Sequence, residues 1–177
     1  MSTPSPWVVR FAPLIRPGGT VLDVAAGGGR HTRYLRELGH PVTAVDVDVS
    51  GLKGLASDPG VTVVEADLEG SAWPFREREF DGIVVANYLH RPLLPRLGDA
   101  LARGGVLIYE TFGIGNEKYG RPSNPAYLLR KDELLEAFEE RLDVIAYEHV
   151  NERQPRPAVR QRICAVLPDE PAEAPEG

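Results

Sequence analysis

The chain alternates between short, nearly continuous apolar runs and stretches in which apolar residues recur every three or four positions. Five runs rich in Val, Ile and Leu, at 20–25, 41–47, 61–66, 81–86 and 105–112, read as strands. Their lack of strict alternation predicts strands covered on both faces. Helix-period segments lie among them. In 30–38, His31, Tyr34, Leu35 and Leu38 share one face; 50–57 is a weaker helix with Ser50 as N-cap. Segment 92–102 puts Leu93, Leu94, Leu97 and Leu101 on one side and ends at Gly104-Gly105, and 131–141 repeats the pattern with Leu134, Leu135 and Phe138. Two last runs, 142–150 and 159–167, are separated by "NERQPRP" without a helix, which predicts an antiparallel hairpin at one edge. The alternation implies right-handed crossovers and an α/β fold: a mostly parallel seven-stranded sheet, helices on both faces, and an antiparallel C-terminal hairpin.

In an open α/β sheet the ligand sits outside the carboxyl ends of the strands. "VLDVAAGGGRHTRYL" (21–35) puts a glycine turn there, with an acid just before it. A dinucleotide fingerprint read from Gly27 gives Gly27, Gly29 and then Thr32, so its last place fails. No lysine follows the glycines, so a P-loop is excluded. Asp23 would also repel a pyrophosphate. A phosphate-free nucleoside that carries a sulfonium and an ammonium, S-adenosylmethionine, turns that acid into an attraction, and glycines let the backbone approach it closely.

Asp23, Ala25, Gly27 and Gly29 match in order the first motif of the class I S-adenosylmethionine-dependent methyltransferases, which the chain resembles over about residues 18–112. The resemblance implies a Rossmann-like fold and S-adenosyl-L-methionine as cofactor. It implies that Asp46, at the end of the second strand, accepts the ribose hydroxyls, with Asp48 able to share the role. It implies that Asp67 accepts the adenine amino group, with Leu68 nearby. The chain is similar to compact stand-alone bacterial methyltransferases, including those near the tellurite- and thiol-methylating groups, and no motif selects the subgroup.

Methyl transfer needs alignment and exclusion of water more than a catalytic acid or base. The candidates for contact with the reacting atoms are Asn87, Tyr88 and His90, at the end of the fourth strand. The Pro-Pro that follows this Asn in DNA adenine and protein glutamine methyltransferases is missing, which argues against those substrates. His90 suits a base near neutral pH, or else caps or flanks the helix that begins near Pro92. Arg30 and His31 open the first helix, where Arg30 suits the carboxylate of the cofactor's methionine part; Arg33 and Arg36 read as surface. Trp7 either folds over the pocket or docks the N-terminal segment. The long loop 111–133 is a candidate substrate lid, with Lys118, Tyr119 and Arg121 lining it for an anionic or flat acceptor. Glu110 needs a partner if buried, with Arg121 and His90 as candidates. Arg153, Arg156, Arg160 and Arg162 make the hairpin basic: a surface for RNA or an acidic protein, or a solvated edge strand protected by charge.

At 177 residues the chain fits one domain, taken as 1–167. Residues 168–177 read as a disordered acidic tail; Asp169, Glu170, Glu173 and Glu176 account for much of the net charge of -6, so the body is only slightly acidic. That balance disfavours long nucleic acids as partners. No apolar run approaches the roughly 18 residues of a membrane span, the N-terminus lacks the basic stretch of a signal peptide, and the single cysteine, Cys164, fits a reducing cytoplasm. No metal site is expected. The sequence therefore favours a cytoplasmic enzyme that methylates a small molecule. RNA or protein methylation, or a non-catalytic cofactor-binding subunit, are the alternatives.

Overall fold

A computed structural model describes residues 2–169; the tail expected at 168–177 lies, from residue 170 onward, outside the described residues. The strands are β1 (Val21–Val24), β2 (Val42–Asp46), β3 (Val61–Glu65), β4 (Phe80–Ala86), β5 (Leu101–Phe112), β6 (Asp143–Glu152) and β7 (Ala158–Val166). They form one seven-stranded sheet in the order β3-β2-β1-β4-β5-β7-β6. The first five pair in parallel, and β7 runs antiparallel to both β5 and β6. The α-helices are α1 (Pro6–Phe11), α2 (Arg30–Glu37), α3 (Leu94–Asp99) and α4 (Glu133–Phe138).

The continuous apolar runs follow from burial on two sides. Leu22, Val24, Ile83, Val85, Leu107 and Tyr109 face Leu94 and Leu97 of α3 and Leu134 and Phe138 of α4. Their neighbours Val21, Val84, Val106 and Ile108 face Trp7, Val8 and Phe11 of α1 and Leu35 of α2. Successive side chains point to opposite faces, so a strand buried on both faces has no polar position to alternate with. The order 3-2-1-4-5 leaves a crevice at the carboxyl ends of β1 and β4, where the chain direction across the sheet reverses.

Several sequence expectations are corrected here. The helix expected at 92–102 is a 3₁₀ turn, Arg91–Leu93, and then α3, which stops at Asp99. Leu101 reaches the core from β5 instead, paired with Phe80, and the Phe80 amide bonds the Ala100 carbonyl at 2.8 Å. Gly98 weakens the helix, and the apolar positions alone do not distinguish the two routes inward. Segment 50–57 is a 3₁₀ helix, Ser50–Leu55, and Ser50 does not cap it. The Ser50 amide donates to Asp48 instead (2.9 Å). Trp7 docks α1 and does not cover the crevice: it is buried, and its indole N–H donates to the Ile163 carbonyl at 3.1 Å.

Two of the four hairpin arginines, Arg160 and Arg162, are not on a solvated edge, whereas Arg153 and Arg156 are exposed in the turn between β6 and β7. β6 is the edge strand, and β7 lies inside the sheet. Arg162 bonds Glu110 across the β5–β7 pair at 2.9 Å and also pairs with Glu148 and Glu152. Buried Glu110 therefore finds its partner in Arg162, and not in Arg121 or His90. No helix among the described residues is long and apolar enough to cross a membrane.

Removing the guanidinium leaves a buried carboxylate uncompensated. Arg162→Met is expected to cost about 3 kcal/mol of stability, and adding Glu110→Met to return most of it. Urea unfolding of the two variants measures both, and a single variant as stable as wild type would show that the pair carries no such role.

Candidate functional site

The crevice begins where β1 ends. Ala25 has φ 54° and Asn87, at the end of neighbouring β4, has φ 56°. Left-handed backbone costs a non-glycine residue about 1–2 kcal/mol, and both residues stand at the mouth of the same crevice. After Ala25 the chain turns through Gly27 (φ 55°) and Gly29 (φ 78°) into α2. A Cβ on Gly27 or Gly28 would meet nothing within 4 Å, so both offer bare backbone to open space. Gly29 is required for packing: a Cβ there would lie 2.6 Å from the Leu55 side chain.

Asp46 fixes this turn. One carboxylate oxygen accepts the Gly27 amide at 2.8 Å, and the other accepts the Asp48 amide at 3.0 Å. Asp46 also lines a cavity of about 330 Å³ with Val47, Asp67, Leu68, Glu69 and Tyr88. Asp67 is held by the Glu69 amide, which donates to it at 2.9 Å. The Asp48 carboxylate turns away to Ser50. Asp23 does not line the cavity. It is 2 % exposed, lies behind the glycine turn and accepts the Thr32 hydroxyl at 2.7 Å, which ties β1 to α2. Thr32, the residue that breaks the dinucleotide fingerprint, thus serves as the partner of the motif's acid. Burial raises the Asp23 carboxyl to about 6, against the lowering effect of the Thr32 bond.

A second cavity of about 440 Å³ adjoins the first across Ala25, which lines both. Its walls include Gly27, Gly28, Arg30, His31, Arg33 and Asn87. Arg30 donates to the Thr3 carbonyl at 3.2 Å. Arg33, expected on the surface, donates to the Gly28 carbonyl at 2.6 Å. Arg36, also expected there, forms a two-bond pair with Asp58 at 2.9 and 3.0 Å. His31 is buried, and its Nε2 accepts the Ser5 amide at 3.0 Å. Burial first, and Arg30 second, lower its pKa to about 4, so it is neutral at physiological pH.

The three candidates at the end of β4 separate. Asn87 lines the second cavity, and its Oδ1 accepts a bond from Arg160 at 2.7 Å. Tyr88 lines the first, and its hydroxyl donates to Glu69 at 3.3 Å. Burial and the neighbouring acids push that phenol well above its usual range, so it stays protonated and is no base. His90 stands apart from both cavities. It flanks the 3₁₀ turn, its carbonyl accepting the Leu93 amide at 2.9 Å, and lines a small cavity with Trp73 and Pro92.

The loop after β5 is anchored. Asn116 is buried, donating to the Pro122 carbonyl at 3.1 Å and accepting the Val159 amide at 3.1 Å. Arg91 holds the other end through Glu133 (2.7 Å) and the carbonyls of Ala126 (3.0 Å) and Leu128 (2.7 Å). Tyr119 and Arg121 line a third cavity, about 490 Å³, between this loop and the hairpin; Lys118 is exposed and lines none of the three.

Sequence reasoning missed Val47, Glu69 and Arg33. Val47 is 65 % exposed beside Asp46, and an apolar residue directly after a strand-end acid was the available signal. Glu69 and Arg33 carried none, because their places depend on how the turns fold back. Among the described residues, no group of three His, Cys, Asp or Glu is arranged to hold a metal ion.

The architecture is that of the class I nucleoside-binding methyltransferase fold. Residues 21–105 match the family model described as a methyltransferase domain. The fold is similar to TehB from Haemophilus influenzae (TM-score 0.77, 18% identity, 94% of this chain and 63% of that one). It is also similar to the 1,6-didemethyltoxoflavin-N1-methyltransferase of Burkholderia thailandensis, solved with S-adenosylhomocysteine (TM-score 0.68, 25% identity, 92% of this chain and 76% of that one). Over 77 residues the chain is 36% identical to the ribosomal RNA small subunit methyltransferase H of a Nostoc strain; that covers 41% of this chain and 26% of the relative. The match thus spans about a quarter of that curated relative. Residues 21–105, a little under half of the chain, thus resemble a methyltransferase domain, and the chain shares the fold of S-adenosylmethionine-dependent methyltransferases.

Asp23 and His31 pull stability in opposite directions with pH. The native Asp23 carboxyl holds its proton above the ordinary value of 3.8, so its contribution falls as pH rises from about 4 to 6. Native His31 resists protonation below the ordinary 6.5, so its contribution rises with pH between about 4 and 6.5. Asp23→Asn removes the first and exposes the second. It is expected to gain about 2 kcal/mol at pH 7.5 and to show stability climbing by up to about 1.4 kcal/mol per pH unit between pH 4.5 and 6. Denaturant unfolding at several pH values measures this; a variant whose pH profile parallels wild type would contradict it.

Proposed function

We propose that the protein transfers the methyl group of S-adenosylmethionine to a small-molecule acceptor. The observation that carries the reading is the pair of cavities divided at Ala25, acidic on one side and basic on the other. The acidic cavity suits the nucleoside. The Asp46 oxygens, each with one lone pair committed to a backbone amide, keep others for the ribose hydroxyls. Asp67 accepts the adenine amino group, and Val47 and Leu68 offer apolar surface to the base. The basic cavity suits the amino-acid end, with Arg30 facing its carboxylate and side-chain-free Gly27 and Gly28 giving it room.

When bound, that cofactor supplies a methyl carbon on a sulfonium: the acceptor's lone pair bonds to the carbon, the carbon–sulfur pair stays on sulfur as a neutral thioether, and any proton on the nucleophile passes to water. The chain's own part is orientation and exclusion of solvent. An arginine only donates, so Arg160 fixes the Asn87 amide with its oxygen toward the guanidinium and its nitrogen available to the cavity. Tyr88 closes the wall without taking a proton. No general base is assigned, and His90 has no part in this reading. Residues 1–167 are taken as the methyltransferase domain. The same reading places the protein in the cytoplasm, where its one cysteine, buried Cys164, stays a thiol.

Methylation of RNA is a second reading, favoured by the stretch similar to a ribosomal RNA methyltransferase. Two of the four hairpin arginines that would carry it, Arg160 and Arg162, are engaged with carboxylates inside the sheet.

Calorimetry tests the cofactor part. S-adenosylmethionine and S-adenosylhomocysteine are expected to bind the wild type, and Asp46→Ala to weaken both about tenfold or more through lost ribose contacts and a loosened turn. Absence of binding by wild type at millimolar ligand would remove the reading. Cofactor binding without methyl transfer to any metabolite or RNA would leave a non-catalytic binding subunit in its place.

A further inference from the structure

We propose that the acceptor carries an oxyanion, a carboxylate or a phosphate, and that Arg121, Arg156 and Arg160 receive it in the third cavity. The inference rests on the methyl-transfer reading and deepens it. The cavity, about 490 Å³, lies beyond the end of β5 and the start of β7, with Phe112 and Tyr119 as its aromatic wall. That volume fits a small molecule. Its wall meets that of the cofactor crevice at the 2.7 Å bond from Arg160 to Asn87. An acceptor anchored among the arginines therefore has its other end directed past Asn87 toward the methyl donor.

Charge is the stronger argument. Three guanidinium groups line this cavity against one carboxylate, Glu152. Glu152 meets Arg160 at 3.2 Å but is shared with Arg162, which is already committed to Glu110. Arg121 and Arg156, one from the loop after β5 and one from the hairpin turn, have no carboxylate partner among the described residues. The Arg160 side chain is 20 % exposed and stacked over Phe112, with its guanidinium 4.2 Å from the ring centre. Its burial works against its charge and lowers its pKa. A partly desolvated cation held in place and incompletely neutralised binds an anion without first losing side-chain freedom. Arg121 and Arg156 reach the same cavity from solvent and complete the clamp.

The test uses the full chain, methyl-labelled S-adenosylmethionine and a metabolite extract of the source cells divided on a strong anion exchanger. Label is expected to pass to compounds the exchanger retains. The double variant R121Q/R156Q, altered only at exposed side chains, is expected to need about tenfold more of that fraction for half-saturation, with kcat within about threefold and S-adenosylhomocysteine affinity within about twofold of wild type. Absence of an acceptor from the retained fraction, or an unchanged half-saturation in the variant, overturns the proposal. A binding measurement identifies the anion. Protein saturated with S-adenosylhomocysteine is titrated with benzoate and, separately, with inorganic phosphate, and the arginine Nε–H resonances are followed. A saturable shift at Arg121 and Arg156 with one probe names carboxylate or phosphate, and none with either refutes the site. Failure of wild type to bind S-adenosylhomocysteine would instead count against the methyl-transfer reading itself.

Discussion

The bond from the Gly27 amide to Asp46 joins the ends of two neighbouring strands, and the rest of the site is built on it. Parallel strands end with their last backbone groups unpaired, and something must satisfy those groups before the chain can turn back. Here the side chain at the end of β2 does so for the turn after β1. The left-handed steps at Ala25, Gly27 and Gly29 follow from it, because the chain must leave β1, meet that carboxylate and still enter α2 within a few residues. One group thus holds the glycine turn in shape and presents its remaining lone pairs to the crevice.

Around that anchor the electrostatics divide. Asp46, Asp67 and Glu69 lie on one side of Ala25, and Arg30 and Arg33 on the other. A ligand with hydroxyl and amino donors at one end and a carboxylate at the other fits in one orientation. The acid of the glycine motif takes no part in this division. Asp23 stays behind the turn with Thr32 and braces strand against helix.

The fold was largely legible in the sequence, because strands buried on both faces leave continuous apolar runs that stand out against the helical period. Misreadings came where two elements bury the same kind of residue, as with Leu101, whose side chain is inside whether it ends a helix or begins β5. The site was legible in part. Asp46, Asp67 and the glycines announced themselves as strand-end acids and a turn. The Arg162–Glu110 pair did not, since it depends on the antiparallel register of β7 against β5, which no local pattern encodes. For the same reason the four hairpin arginines read as one basic surface, although the sheet draws Arg160 and Arg162 inward and leaves Arg153 and Arg156 outside. His90 and Lys118 looked suitable by residue type, and only the path of the chain separates them from the crevice.

Asn116 and Arg91 each bond the segment after β5, one near either end, so its two ends are tied to β7 and to the turn before α3. Between these ties, recognition falls to the side chains that stand on its rim. Tyr119 and Arg121 are on that rim and support nothing beneath them. If the acceptor binds where proposed, substitutions there change which compounds are accepted without disturbing the scaffold, a short evolutionary route to new specificities on an unchanged frame.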